Sequence, residues 1–183
     1  MKAGTVLREF FALDKRRVIL RTPRWDDLDD LLEMINSLVA EGADIVISEK
    51  VSRVEEIDWL ARALSHLAKD EILYLVAEVD GKVVANSEIS MRRDGYDGHV
   101  GGIGIAIREG YRNVGIGTEM MKTLVEQARK IGLKVLTLFT FESNRRAIHV
   151  YENVGFVQTG KIPRKFFREG KYIDEVIMTL VLE

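Results

Sequence analysis

The stretch from His99 to Thr118, HVGGIGIAIREGYRNVGIGT, constrains this chain most. It opens as an apolar strand, turns through Arg112-x-x-Gly115-x-Gly117, and enters a helix whose apolar positions are Met120, Met121, Leu124, Val125, Ala128 and Ile131. A strand feeding a helix through a glycine turn requires strand and helix to pack in separate layers, an α/β arrangement. The first N–H groups of such a helix lack internal partners and point out of its end, where the helix dipole adds positive charge. Gly115 and Gly117 carry no Cβ, so an anion can approach the backbone closely. The turn therefore reads as a phosphate seat.

Two familiar phosphate motifs do not fit. Gly110 and Gly115 have P-loop spacing, but Ile116 stands where that loop needs lysine. A dinucleotide fingerprint needs a third glycine where Met120 lies and a parallel βαβ unit, whereas the strands before this turn read as antiparallel. An ordinary strand-to-helix turn is the alternative.

The 183 residues are 46% hydrophobic and 31% charged, with net charge −2, which indicates a globular fold and argues against a dedicated nucleic-acid binder. No apolar run approaches the ~20 residues of a membrane span, and the first residues lack a signal-peptide core, so a cytoplasmic protein without membrane contact is expected. With no cysteine, a cysteinyl acyl-enzyme and Cys-ligated zinc are excluded. No metal is expected.

Residues 1–16 show no period and read as an arm or short helix. Residues 17–21 read as a strand. Thr22-Pro23 resembles a helix start, followed by an apolar face of Leu28, Leu31, Leu32, Ile35, Leu38 and Val39. Ser52 and Glu55 fit a capping box opening a second helix, with Val54, Ile57, Leu60, Ala61, Leu64 and Leu67 on its buried face. Residues 72–79 and 82–91 read as a hairpin turned by Asp80-Gly81. Residues 92–98 read as a loop, 99–107 as a strand, 135–141 as a strand, and 144–153 as a short helix. Residues 156–160 and 174–182 read as the last strands, joined by the basic, aromatic connection 161–172. The expectation is a single α/β domain over 1–183, with a mixed, largely antiparallel sheet of six to seven strands and helices on both faces.

At this point the chain resembles the GNAT N-acetyltransferases. The family's acetyl-CoA signature, Arg/Gln-x-x-Gly-x-Gly/Ala after an apolar strand, stands here as Arg112-Asn113-Val114-Gly115-Ile116-Gly117. A second segment, Asn144-x-x-Ala147-x-x-x-Tyr151-Glu152-x-x-Gly155-Phe156, is similar to the family's N-x-x-A-x-x-x-Y-x-x-x-G-F. The resemblance implies that the fourth and fifth strands splay apart and that the pantetheine arm of acetyl-CoA lies in the gap, paired with the fourth strand like an added strand. On that mapping the main chain of Ile105, Ala106 and Ile107 binds the arm. The N–H groups of Asn113, Val114, Gly115, Ile116, Gly117 and Thr118 bind the diphosphate. The glycines at 101, 102 and 104 weaken this strand; either close approach by the ligand or a bulge accounts for them.

Acetyl transfer needs a neutral amine, a stabilised oxyanion and a protonated leaving thiolate. Tyr151 holds the family position of the general acid; the plainer reading is a core aromatic. For the base, His99, with an imidazole titrating near ~6.5, and Glu88 on the neighbouring strand both qualify, the latter directly or through water. His99 is equally readable as a strand-end residue. The family often has glutamate at positions that map near His99 or Gly101, and many members have it where Gly102 stands, so this chain departs from the pattern. Asn144 is either a cofactor ligand or the cap of the fourth helix. Arg145 and Arg146 face phosphate or solvent.

The acceptor, a small-molecule or peptide amine, is expected between 43–51, 92–98 and 161–172, where Glu41, Asp44 and Glu49 would attract a cation. The cluster Lys161, Arg164, Lys165, Arg168 and Lys171 with Phe166 and Phe167 reads as a loop at the substrate mouth or a homodimer surface. Two other functions remain open on these residues: a non-catalytic acyl-CoA sensor, and a domain for another phosphorylated nucleotide.

Overall fold

A computed structural model describes residues 1–91 and 95–182. The strands are β1 (Val6–Phe11), β2 (Arg17–Arg21), β3 (Ile72–Val79), β4 (Lys82–Met91), β5 (Val100–Ile107), β6 (Val135–Phe141), β7 (Val157–Arg168) and β8 (Lys171–Val181). The helices are α1 (Leu28–Ala40), α2 (Arg53–Ala68), α3 (Ile116–Lys130) and α4 (Arg145–Asn153). All eight strands form one sheet in the order β1-β2-β3-β4-β5-β6-β8-β7. Every neighbouring pair is antiparallel except β5 and β6, which run parallel.

The sheet therefore has one strand more than expected. The addition is β1, within the segment read as an arm or a short helix. Its pattern was hidden because it is an edge strand with no residue fully buried and with Val6 and Phe11 facing outward. The second difference lies at the other edge. The basic segment read as a connection over 161–172 is mostly strand, and β7 and β8 form a long hairpin turned at Glu169-Gly170. Its charges lie on an exposed edge, where Lys161 pairs with Asp174 at 2.7 Å and with Glu142 at 3.1 Å. Of the expected 92–98 loop, residues 92–94 lie outside the described residues, and 95–99 form a turn.

Two apolar clusters hold the layers together. On one face, Val76 and Val83 pack with Leu28, Leu31 and Met34 of α1 and Leu60 of α2. The larger cluster joins Leu75, Ala77, Ala85 and Ile89 to Met120, Met121, Leu124 and Ala128 of α3, all at helical spacing. Two-sided burial explains why 72–79 reads as a continuous apolar run. Asp80 and Gly81 both have positive φ, 52° and 77°, as a two-residue hairpin turn of this twist requires.

The helix starts divide between confirmation and correction. Ser52 caps α2 as expected, its side chain accepting from the Glu55 N–H while Glu55 accepts from the Ser52 N–H. Thr22 caps nothing. Its hydroxyl accepts from the Thr5 N–H at 2.8 Å and donates to the Lys2 carbonyl at 2.7 Å, and α1 begins only at Leu28, after a 3-10 turn at Trp25–Asp27. Asp27 organises that start. Its carboxylate takes a two-pronged pair from buried Arg21, both contacts 2.7 Å, and also accepts from the Arg24 N–H at 2.9 Å. The buried side of α2 is also rotated from the expected one: Glu56, Leu60, Ala63 and Leu67 point inward, whereas Val54 is exposed.

Candidate active site

The site begins where β5 and β6 part. They pair only over Val100–Gly102 and Val135–Thr137. Beyond Gly102, β5 stays bonded to β4 as far as Ile107, and β6 stays bonded to β8 as far as Phe141. Their facing edges diverge, leaving backbone donors and acceptors of alternate β5 residues turned into the gap. The gap is the floor of a cleft of about 1810 Å³, lined by Ile103 to Ile107 on one side and Thr137 to Phe141 on the other. Single-ligand sites run to roughly 1,000 Å³, so this cleft has room for a large cofactor and an acceptor together.

One end of the cleft is the start of α3. The N-cap, Gly115, has φ 91° and contributes no side-chain cap. That left-handed conformation is one most residues adopt only at a cost. The helix end thus carries no side-chain cap where it meets the cleft, which Arg112, Asn113, Gly115, Gly117 and Thr118 line. Ile116 points the other way, fully buried, and the Val114 carbonyl accepts from the Leu13 N–H at 2.9 Å. Arg112 braces the turn: its Nε donates to the Ile107 carbonyl at 2.7 Å, and its guanidinium pairs with Glu109 and Glu41. A cavity reaching an uncapped helix N-terminus beside an open strand edge suits a diphosphate with an extended amide arm. The residues present fit acetyl-CoA.

The opposite flank is α4. Asn144, Ala147 and Tyr151 lie along one side of it and all line the cleft. Both roles read for Asn144 are compatible with its place, since its side chain accepts from the Ala147 N–H at 3.2 Å as a cap and also borders the cleft. Tyr151 is 6% exposed, packed near Phe156, and burial pushes its phenol up to about 12. The phenol is therefore protonated at physiological pH.

Of the two candidates for the base, the fold brings only Glu88 to the cleft. Glu88 stands opposite Gly104 on β5 and opposite Tyr74 on β3. Burial raises its pKa, and no cation among the described residues pairs with it. His99 lies outside the cleft lining, exposed at the far end of β5, where its carbonyl accepts from the Lys134 N–H at 2.8 Å and from the Val135 N–H at 3.2 Å. It occupies the strand-end place that was its plainer reading.

The glycines of β5 have separate causes. The β4–β5 register shows no bulge. A Cβ at Gly101 would come within 2.8 Å of Ile89 and Leu133 side chains, so core packing excludes it. A Cβ at Gly104 would meet nothing closer than Glu88, at 3.7 Å, on the cleft side.

The acceptor side departs from the expected electrostatics. Glu41 is paired with Arg112, and Asp44 with Arg168 at 2.7 Å, so neither is free to attract a cation. Arg168, near the turn of the β7–β8 hairpin, also donates to the carbonyls of Gly42 and Ala43, pinning the α1–α2 connection. Phe166 stacks on Phe141, ring centroids 3.9 Å apart, and seats the hairpin beside the cleft. The residues sequence reasoning missed are Glu56, Trp59 and Tyr74, which continue the wall from Glu88; the Trp59 and Tyr74 rings meet edge-on at 5.7 Å. A signal existed, since Glu56, Leu60, Ala63 and Leu67 share helical spacing with a carboxylate at its head.

Comparison with known proteins agrees with this geometry. The model of the acetyltransferase (GNAT) family matches residues 32–156. The L-amino acid N-acyltransferase MnaT of Escherichia coli K12 is 25% identical over 167 residues, covering 90% of this chain and 94% of that protein. An N-alpha-acetyltransferase of Sulfurisphaera tokodaii is 31% identical over 121 residues, covering 59% of this chain and 70% of the relative. Among solved structures, a GNAT-family acetyltransferase from Streptococcus pneumoniae superposes with TM-score 0.80 at 23% identity, covering 91% of this chain and 99% of that one. The yncA protein of Salmonella typhimurium, solved with its cofactor acetyl-CoA, gives TM-score 0.78 at 20% identity over 91% of this chain and 94% of that one.

Proposed function

This chain belongs to the acetyltransferase (GNAT) family, and from that premise we propose that it moves the acetyl group of acetyl-CoA directly to a primary amine, with both substrates held in the cleft at once. The names of its relatives, two L-amino acid N-acyl- or N-acetyltransferases and an N-alpha-acetyltransferase, support an α-amine as the acceptor. The observation that carries the reading is the parting of β5 and β6 after Gly102, between the uncapped start of α3 and Tyr151.

In this reading the N–H groups at the start of α3, from Asn113 to Thr118, hold the diphosphate. The open edge of β5 at Ile105, Ala106 and Ile107 pairs with the amide arm, and Asn144 and Ala147 border it. Arg112 acts through the turn, which it ties to Ile107 and Glu41, as a positioning residue. Bound acetyl-CoA supplies a thioester carbonyl. Glu88 accepts a proton from the incoming ammonium, directly or through water, because an amine attacks only when neutral. A main-chain N–H of β5 stabilises the oxyanion. Tyr151 donates its phenolic proton to the departing thiolate sulfur, for which a neutral, buried phenol is suited, and the second proton that the nitrogen loses as the tetrahedral intermediate collapses to the amide restores the tyrosine through solvent.

The test is amine-dependent release of CoA thiol, measured over a panel of amino acids, peptides and alkyl amines, beside calorimetric binding of acetyl-CoA. Saturable release with at least one amine is expected. Tight acetyl-CoA binding with no release for any amine would instead favour a non-catalytic acyl-CoA sensor, and stronger binding of another nucleotide would overturn the site assignment.

A further inference from the structure

We propose that the turn between β1 and β2 braces the phosphate-binding turn, with Arg16 as a positioning residue for the diphosphate of acetyl-CoA. This rests on the acetyl-CoA site read above.

Residues 108–115, between β5 and α3, belong to no helix or strand. Their backbone has positive φ at Gly110 (81°), Asn113 (62°) and Gly115 (91°), a region that is sparsely populated outside glycine. A segment of this shape keeps one conformation only where its surroundings fix it. Arg112 fixes part of it through the Ile107 carbonyl, Glu109 and Glu41. A second set of contacts comes from the β1–β2 turn. The Leu13 N–H donates to the Val114 carbonyl at 2.9 Å. The Arg16 guanidinium donates to the Gly110 carbonyl at 2.8 Å and lies over the Tyr111 ring, 4.3 Å from its centroid. Asp14 holds that guanidinium in place, accepting from its Nε at 2.7 Å. The β1–β2 turn is itself closed, with the Ala12 N–H on the Arg16 carbonyl and the Lys15 N–H on the Ala12 carbonyl, both at 2.9 Å. All these bracing residues precede the span 32–156 that the family model matches.

The Leu13 contact bears directly on the phosphate seat. A trans peptide sets the Val114 carbonyl and the Gly115 N–H antiparallel. Fixing that carbonyl on Leu13 therefore aims the Gly115 N–H the opposite way, away from the Leu13 backbone. Donors aimed before the ligand arrives cost less ordering when it binds. Arg16 does not itself line the cleft, so it acts on the cofactor through the turn it holds. The β1–β2 turn lies at the sheet edge, and the Arg16 side chain is partly exposed, so its loss is expected to spare the core.

Calorimetric titration of the whole protein with acetyl-CoA tests this. Arg16→Ala should weaken acetyl-CoA binding about tenfold, the scale of one hydrogen bond to a charged group. S-acetylpantetheine, which has no diphosphate, is measured by displacement and should bind wild type and variant alike. Asp14→Ala separates bracing from charge, and serves alone if Arg16→Ala does not fold. Removing a carboxylate near the seat tightens the binding of an anion where charge alone acts. Where Asp14 holds Arg16 in its brace, the same change weakens binding. Unchanged acetyl-CoA affinity in Arg16→Ala, an equal loss for S-acetylpantetheine, or tighter acetyl-CoA binding in Asp14→Ala would each overturn the proposal. Wild-type protein that binds no acetyl-CoA would overturn the site reading and this inference with it. Wild-type binding with no loss in either variant strikes only the inference.

Discussion

Glu88 and Gly104 stand directly opposite each other across the β4–β5 ladder, just past the point where β5 loses β6 as a neighbour. Because residue 104 has no side chain, the Glu88 carboxyl borders the open gap; a Cβ there would lie 3.9 Å from Glu88 Oε1. The pairing puts a desolvated carboxylate on the strand next to the open edge of β5, where a β-ladder holds it more firmly than a loop would.

Glu88→Gln should therefore lower kcat/KM by about 10²–10⁴ while leaving acetyl-CoA affinity unchanged. A carboxylate accepts a proton only when ionised, and burial raises the Glu88 pKa. The acid limb of the wild-type pH–rate profile should accordingly fall above the ~4.3 of an ordinary glutamate and vanish in the variant. An unchanged acid limb in Glu88→Gln would assign the proton acceptor elsewhere.

Tyr151→Phe removes one hydroxyl from a buried ring and keeps its packing. We expect kcat to fall about 10²–10⁴-fold, with little change in acetyl-CoA binding by calorimetry or in thermal midpoint. A thioester with a more acidic leaving thiol should recover part of the rate, since it departs with less need of a proton. Loss of stability without loss of kcat would mark the tyrosine as a packing residue.

The glycines of β5 should separate by role. Gly101→Ala drives a methyl to within 2.8 Å of Ile89 and Leu133 and should cost about 1–3 kcal/mol in urea unfolding. Gly104→Ala meets only ordinary contacts, at 3.7 Å or more, so it should unfold like the wild type and show its effect in kinetics. At the phosphate turn, Gly115→Ala places a Cβ at φ 91° and should cost about 1–2 kcal/mol while weakening acetyl-CoA binding.

Glu56 gives a pH-dependent stability prediction. Its folded pKa is raised by burial, so between its unfolded and folded values the native state binds more protons than the unfolded one. Stability from this group is thus complete below the unfolded pKa and lost as pH rises through the folded one. Glu56→Gln should raise the thermal midpoint at neutral pH, and the gain should fade as the pH falls below the unfolded value of ~4.3. A gain that persists at low pH would point to a cause other than ionisation.

Much of the candidate site's local structure could be read from local pattern because its parts are local. The Arg112-to-Gly117 turn, the Asn144-to-Tyr151 helix and the Ser52–Glu55 cap are each set within a few residues by backbone chemistry. The misreadings at Thr22, Glu41 and Asp44 involve partners distant in sequence. Thr22 has the composition of a helix cap, but the N-terminal segment takes its hydroxyl, and Asp27 begins the helix because Arg21 is buried against it. Glu41 and Asp44 read as open charges until arginines from the glycine turn and the far hairpin meet them.

The sequence by itself determined the elements that frame the candidate site: an apolar strand, a glycine turn at a helix start, and a second helix presenting asparagine and tyrosine along one side. Periodicity, capping and the backbone freedom of glycine are short-range properties, legible wherever they occur. Only the tertiary structure decided which groups share the cleft. It parted β5 from β6 after Gly102, left His99 at the closed end of the strand, and brought Glu56, Trp59, Tyr74 and Glu88 together from α2, β3 and β4. Strand order and register across the sheet set those neighbours, and they depend on how the whole chain buries its apolar surface.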